Sequence, residues 1–315
     1  MRLVFMGTPE YAATCLKALL EAGHEVVGVF TQPDRPKGRS GAPVMPPAKV
    51  LALQEGIPVF QPVKIRHDGM RDLAALKPEA CVTAAFGQIL SEEILAVPPL
   101  GTVNVHASLL PRYRGPAPVN WAIINGESVT GVTTMMTDKG IDTGDILLQK
   151  ELAILRDETA GGLTIRLAQA GAELLVQTLG LLASGACPRT SQNGEDSSYY
   201  PMLSRQTGFI RWANESVAIA NLVRGVQPWP GALTQSPWGQ LKVLEAQAEQ
   251  DETHEEPGTI LAADARAGLL VKAGQGALRL MRLQAPGGKA VASADFLRGH
   301  RWDGKGKMQG VEVTP

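Results

Sequence analysis

A chain of 315 residues, 44% apolar and 19% charged, can bury a sizeable core and exceeds the usual single-domain length, so two domains are expected. No apolar run approaches the roughly 20 residues that cross a bilayer, residues 1–7 read as a strand and not a leader, and Cys15, Cys81 and Cys187 are scattered without Cys-x-x-Cys spacing; this argues against a membrane protein, secretion, a disulfide framework and a zinc site, and a cytoplasmic location fits. The net charge of -1 would by itself disfavour a polyanionic partner, but it averages over patches.

Residues 2–7 form a short apolar run ending in Gly7, residues 10–20 carry helical spacing and 26–31 read as strand again, which is a βαβ unit. Apolar runs at 80–85 and 102–105, with helical segments between, continue a parallel sheet covered on both faces, so the first domain is read as α/β. Strand-like runs at 131–136 and 146–155 precede a helix predicted over 157–182, where Asp157 and Glu158 suit a positive helix start. The polar run 190–198 has turn composition and opens a linker, 190–206, between a first domain of residues 1–189 and a second of 207–315. In the second, strand-sized runs at 241–244, 258–261, 269–271 and 278–283 with glycines between them predict a small β-barrel.

Gly7-Thr8-Pro9-Glu10 stands where a dinucleotide-binding protein carries G-x-G-x-x-G, but Pro9 fills the place of the second glycine and Glu10 would repel a phosphate. A turn joining strand to helix is the better reading. In Gly101-Thr-Val-Asn104-Val-His106, the side chains of Asn104 and His106 share one face of a strand and Val103 and Val105 take the other. Burying an amide and an imidazole unpartnered costs on the order of 1–3 kcal/mol each, so the pair meets either structural partners or a ligand. The proline-fixed loop Ser108-Leu-Leu-Pro111-Arg-Tyr-Arg114-Gly leaves the carboxyl end of that strand, where open α/β sheets bind ligands, and position favours the ligand. A second polar loop, Thr137-Asp138-Lys-Gly140-Ile-Asp142-Thr-Gly144-Asp145, resembles part of a calcium loop, yet Gln149 stands where a glutamate is required. A carboxylate from it facing His106 would instead make a dyad able to move a proton, and with Asn104 it supplies the parts of acyl transfer without a covalent enzyme intermediate. Charge is uneven as well: between 266 and 307 nine Lys or Arg stand against Asp295 and Asp303, a local balance of +7, masked by six acids between Glu245 and Glu256. On charge alone this is equally an RNA-facing patch or an ordinary solvated surface.

Asn104-Val-His106, Ser108-Leu-Leu-Pro111 with Arg114-Gly, and Asp142-Thr-Gly144 together resemble the formyltransferases that use 10-formyltetrahydrofolate. Gly7-Thr8-Pro9-Glu10-Tyr11, Gln32-Pro-Asp-Arg-Pro-Lys-Gly-Arg39 and Leu222-Val-Arg224-Gly-Val-Gln-Pro228-Trp-Pro-Gly231 are similar to the members that act on methionyl initiator tRNA, and the resemblance covers nearly the whole chain. It implies a Rossmann-like domain with a mostly parallel sheet, followed by an OB-like β-barrel. It implies Asn104, His106 and Asp142 as a catalytic trio, with Ser108, Leu109, Leu110 and Pro111 and with Phe86, Gly87, Gln88, Ile89 and Leu90 contacting the folate. The implied donor is 10-formyltetrahydrofolate, with no metal, and the implied partner of a monomeric enzyme is methionyl initiator tRNA. Arg35, Lys37, Arg39 and Lys49 match a basic loop that approaches the acceptor stem, although Ser40-Gly-Ala-Pro43 replaces a stretch that is often more basic in the family. Lys272, Arg279 and Arg282 are added as RNA contacts, on the condition that the strand pattern puts them on an exposed face. The alternative is a formyltransferase acting on an amino sugar nucleotide, which shares the trio and the opening turn; the basic second domain speaks against it.

Overall fold

The structure, a computed structural model, describes residues 1–36 and 41–311. Lys37 and Arg39 lie outside the described residues. The chain divides into two compact units: the first comprises Met1–Pro118, Val129–Ala153 and Thr164–Pro201, and the second gathers Val119–Ser128, Ile154–Leu163 and the chain from Met202 onward.

In the first unit β1 (Arg2–Gly7), α1 (Glu10–Glu21) and β2 (Glu25–Phe30) form the expected βαβ opening. A short hairpin of β3 (Arg35–Pro36) and β4 (Pro43–Val44) follows, then α2 (Pro47–Gln54), β5 (Val59–Phe60), α3 (Ile65–Asp68), α4 (Met70–Leu76), β6 (Ala80–Ala84), α5 (Glu92–Leu95) and β7 (Thr102–His106). After α6 (Pro118–Ile124), which belongs to the second unit from Val119 onward, β8 (Val129–Met136) and β9 (Ile146–Ala153) complete the sheet, and α7 (Ala160–Ala183) follows, its residues from Thr164 belonging to the first unit. The strand order is β5-β2-β1-β6-β7-β8-β9; the first five are parallel and β8 and β9 add antiparallel to β7 and to each other. The order reverses between β1 and β6, so their carboxyl ends flank the crevice where such sheets take ligands. Val4, Met6, Phe30, Cys81, Phe86, Leu90 and Ile94 pack on one face with Ile65 and Leu73. On the other, a Cβ at Gly171 of α7 would stand 2.9 Å from Val105 Cγ1 and 3.0 Å from the Tyr11 hydroxyl, so the helix lies this close only because the residue is glycine. The helix starts at Ala160, later than the charge pattern predicts, because the Thr159 hydroxyl accepts the Gly162 N–H at 3.3 Å and caps it there.

The second unit holds α8 (Ser216–Gly225), β10 (Ala232–Ser236), β11 (Gly239–Glu249), β12 (Ile260–Asp264), β13 (Gly268–Lys272), β14 (Ala277–Gln284), β15 (Val291–Ala292) and α9 (Ser293–Gly299). Where the sequence predicts a small β-barrel, the strands run antiparallel in the order β10-β11-β14-β13-β12, with β15 on β14. Ile219 and Val223 of α8 and Phe296 and Leu297 of α9 close the core over Leu241, Val243, Leu269, Val271, Leu278, Leu280 and Leu283. Among the described residues no helix is long and apolar enough to cross a membrane.

Candidate active site

β7 is an interior strand, and the parallel register pairs Met6 with Thr83 and Thr83 with Asn104. Asn104 therefore shares the face of Val4, Met6 and Cys81, opposite to Val103 and Val105. Thr83 Oγ1 donates to Asn104 Oδ1 at 2.9 Å. That bond uses the acceptor end of the amide and leaves its two N–H groups as donors with no partner among the described residues.

His106 ends the strand and is 7% exposed. Its Nε2 stands 2.9 Å from the Tyr113 carbonyl, which only accepts, so Nε2 carries a proton and donates. Its Nδ1 faces Asp142 Oδ1 at 3.6 Å, an ion-pair separation too long for a hydrogen bond. The structure thus brings the expected dyad together without forming its hydrogen bond. The other carboxylate oxygen, Asp142 Oδ2, accepts the Gly115 N–H at 2.9 Å. Asp142 occupies the left-handed region at φ 54, which Asp tolerates better than most residues. Two positions on, a Cβ at Gly144 would collide with the Met136 carbonyl, which explains glycine in the Asp-Thr-Gly run. Asp138 is turned into the loop, where its carboxylate accepts the Thr143 hydroxyl at 2.7 Å and the Gly140 N–H at 3.0 Å. Among the described residues no group of three or more His, Cys, Asp or Glu is placed to hold a metal ion.

The loop from β7 is fixed by its neighbours. The Thr133 hydroxyl donates to the Ser108 carbonyl at 2.7 Å and accepts from the Leu110 N–H at 3.1 Å, Gln149 donates to the Leu110 carbonyl at 2.9 Å, and Ser108 Oγ donates to the Arg112 carbonyl at 2.7 Å. Leu110 is buried, while Leu109 and Pro111 are half-buried. Tyr113 at φ 59 and Gly115 at φ 105 turn the backbone so that one carbonyl meets His106 and one N–H meets Asp142. These two backbone groups carry no residue-type signal, and sequence reasoning missed them.

It also missed the segment behind them. Thr190 bridges to Ile146, the Ser198 carbonyl and hydroxyl accept the Arg114 and Tyr113 N–H groups at 2.8 and 2.9 Å, and the Tyr200 ring stacks on Tyr113 at 4.9 Å. Gln192 donates from Nε2 to the carbonyls of Asp142 and Gly144 at 2.9 and 2.7 Å, and its Oε1 accepts from Arg114 Nε and Nη2 at 3.1 and 2.7 Å. A polar run of turn composition gives no sign of this.

Residues 86–90 leave the carboxyl end of β6. The Phe86 and Leu90 side chains are core members, whereas Gly87 is exposed and Ile89 is 69% exposed. Gln88 fixes the segment by accepting the Ile65 N–H at 2.7 Å and donating to the Pro62 carbonyl at 3.0 Å. The Phe86 carbonyl accepts from Thr8 and Gln32, each at 3.2 Å, which ties in the turn after β1.

The basic residues separate into engaged and free. Lys49 donates to both oxygens of Asp34 at 2.9 and 2.8 Å and to Gln61 at 2.8 Å; the Lys49 bonds, with one that Gln61 Nε2 donates to Asp34 at 2.8 Å, hold the Asp34 carboxyl below its usual range. Arg35 is exposed and donates to Gln32 at 3.2 Å. Lys272 departs from the expected exposed face: its side chain is 7% exposed and its ammonium meets Asp251 at 2.6 Å. Arg279 is half-buried and forked onto Glu249, with Nη2 to Oε2 at 2.9 Å. Arg282 is exposed, 3.6 Å from Glu245. Of the acids that mask the basic segment in sequence, Glu245, Glu249, Asp251 and Glu256 are its ion-pair partners in space.

A family model described as formyl transferase matches residues 1–179, and one described as formyl transferase, C-terminal domain, matches 202–301. The methionyl-tRNA formyltransferase of Caldanaerobacter subterraneus subsp. tengcongensis is 45% identical over 302 residues, covering 95% of this chain and 97% of the relative. That of Citrifermentans bemidjiense is 48% identical over 302 residues, covering 96% and 94%. Among solved structures, an N-formyltransferase from Helicobacter canadensis in complex with folinic acid and dTDP-3-aminofucose matches in fold with a TM-score of 0.66 at 20% identity, over 88% of this chain and 98% of that one. HypX from Aquifex aeolicus in complex with tetrahydrofolic acid matches in fold with a TM-score of 0.61 at 16% identity, over 94% of this chain and 47% of that one. With both of its parts matched and such relatives spanning nearly its full length, the chain belongs to the formyl transferase family, among the methionyl-tRNA formyltransferases.

Proposed function

We propose that this enzyme transfers the formyl group of 10-formyltetrahydrofolate to the amino group of methionine on initiator tRNA, giving the formylated tRNA that starts translation. The observation that carries this reading is that identity of 45–48% to methionyl-tRNA formyltransferases runs through both parts of the chain. The geometry supplies the chemistry. A neutral α-amino group is an adequate nucleophile, so the enzyme must orient it, accept its proton and stabilise the oxyanion that develops at the formyl oxygen as the amine adds to the formyl carbon. Asn104 offers unpartnered N–H groups for that oxygen. His106 Nε2–H exchanges the Tyr113 carbonyl for the same oxygen, and Asp142, beside Nδ1, takes the amine proton directly or through water; the tetrahedral adduct then collapses with cleavage of the formyl C–N10 bond, and N10 leaves protonated as tetrahydrofolate. Residues 86–90 and 108–111 hold the folate at the carboxyl ends of β6 and β7, by way of the backbone and half-exposed side chains that the core leaves free.

For the RNA, the family matches support a catalytic part at 1–189 and an RNA-facing part at 207–315, joined by 190–206. Arg35, with Lys37 and Arg39, serves the acceptor stem, while Lys49 holds the base of that loop through Asp34. In the second part the phosphate contacts fall on exposed cations that form no ion pair among the described residues, Arg266, Lys289, Arg301 and Lys305, with Arg282 beside them. Lys272 and Arg279 act in the fold. The enzyme works as a monomer in the cytoplasm: Asn104, His106 and Asp142 come from one unit of one chain, and three free cysteines suit a reducing compartment. The test is to supply 10-formyltetrahydrofolate with charged initiator tRNA, with an amino sugar nucleotide, or with water alone, and follow tetrahydrofolate release. Release is expected with the tRNA only; comparable turnover of the sugar nucleotide would reverse the assignment.

A further inference from the structure

We infer that Gln192 is a positioning residue for Asp142, an inference that rests on Asp142 being the proposed base. An amide side chain offers two N–H donors and two acceptor lone pairs. Gln192 uses all four: Nε2 donates to the Asp142 and Gly144 carbonyls at 2.9 and 2.7 Å, and Oε1 accepts from Arg114 Nε and Nη2 at 3.1 and 2.7 Å. One half of the amide therefore grips the loop that carries the carboxylate. The other half grips Arg114, between Tyr113, whose carbonyl holds His106, and Gly115, whose N–H holds Asp142.

The grip matters because of where Asp142 sits. Its backbone is in the left-handed region at φ 54, a sparsely populated conformation even for Asp, so ties from neighbouring segments help to hold it. Its carboxylate is 3.6 Å from His106 Nδ1, a distance at which a displacement of about 1 Å decides whether the pair can share a proton. Ser191 adds a second tie to the same loop, its hydroxyl donating to Asp145 Oδ1 at 3.0 Å. The turn that bears Asp142 is thus held from outside by residues just before the second part of the chain, and Gln192 is the one that reaches both loops.

The test is a pair of substitutions set in a cycle with Asp142→Asn, using the full chain and reading kcat, KM for donor and tRNA, and melting temperature. Gln192→Ala removes both halves of the clamp. Gln192→Glu keeps an acceptor for Arg114 but turns an oxygen, in place of the N–H donors, toward the Asp142 and Gly144 carbonyls. Both are expected to lower kcat on the order of tenfold to a hundredfold with each KM within about twofold, the signature of impaired alignment in place of impaired binding. In the Asp142→Asn background the same changes should cost no more than about twofold further, because Gln192 acts through that carboxylate. A simple structural role would give a full additive loss, and that result overturns the inference, as does wild-type kcat in Gln192→Glu. If Gln192→Ala does not fold, Gln192→Glu and its cycle decide. If Asp142→Asn alone keeps wild-type turnover, the catalytic reading fails first and takes the inference with it, which separates the two failures.

Discussion

Asn104 presents N–H groups because the Thr83 hydroxyl holds its other end, 2.9 Å away on the neighbouring strand. Asn104→Ala should therefore lower turnover by roughly a hundredfold or more, the usual cost of one oxyanion donor. Thr83→Val should cost part of that, since the amide is then free to rotate while the strand keeps a residue of similar shape. Single-turnover rates with each variant check this; a Thr83→Val enzyme as damaged as Asn104→Ala, at unchanged melting temperature, would mean that the hydroxyl itself reaches the substrate. Asp142→Ala and His106→Ala are expected to lose about a hundredfold by the same measure, from general acid-base catalysis. Asn104 and His106 were legible in the sequence because a polar pair two apart in an apolar strand has no cheap burial. The Tyr113 carbonyl and the Gly115 N–H were not, because every residue has such groups and only the φ of 59 and 105 aims them. Gln192 was hidden differently, as an ordinary polar residue whose three partner residues lie 48 to 78 positions away in the chain.

At the scale of elements, the strand pattern was readable and the fate of the charges on it was not. On β14 simple alternation predicts Arg279 and Met281 outward and Arg282 inward, but the register against β11 shifts between Glu245 and Ala246, so Arg282 pairs with Glu245 and faces out. Glu249 and Asp251 meet Arg279 and Lys272, and hydrogen bonds from those cations, first among the causes, hold both carboxyls below their usual range. A carboxylate depressed on folding stabilises the protein above its unfolded value, about 3.9 for Asp and 4.3 for Glu, and that stability is lost as the pH falls through the folded value. The second unit should therefore melt at progressively lower temperature below about pH 4. Asp251→Asn should lower the melting temperature already at neutral pH, because it leaves the Lys272 ammonium, 7% exposed, without its carboxylate. It should also flatten the acid slope. Melting curves at neutral and acid pH for both proteins check this, and an acid slope identical in the two would remove Asp251 from the account.

For the whole molecule, deleting the second part looks like the direct test of its RNA role, but the two-unit division makes that experiment ambiguous. Residues 119–128 and 154–163 belong to the second unit although they lie in the chain between segments of the first. Asn120 donates to the Gly225 carbonyl at 2.7 Å, the Gly161 N–H donates to the Gln227 carbonyl at 3.1 Å, and a Cβ at Gly225 would stand 2.6 Å from Ile124. Interactions across 105 positions leave no trace in local composition, and a cut within 190–206 leaves these segments attached to the first part. Truncation near Ser204 would strip these segments of their partners, and a weaker tRNA affinity would then report damage as readily as the removal of phosphate-binding cations. Charge removal in the intact chain avoids this. Arg266, Lys289, Arg301 and Lys305 are exposed and have no ion pair among the described residues, so changing all four to Gln breaks no ion pair there. Every cation that binds a phosphate should, once neutralised, make the slope of log affinity against log salt shallower by about 0.7 to 0.9, hence by roughly three if all four bind phosphate. Lys272→Gln with Arg279→Gln is the opposite control: it breaks engaged pairs, so it should lower the melting temperature and leave the salt slope within about 0.9 of wild type, the increment of a single phosphate. A quadruple variant with an unchanged slope would show that the free cations do not meet RNA, and a steep fall in the paired control would return that role to Lys272 and Arg279.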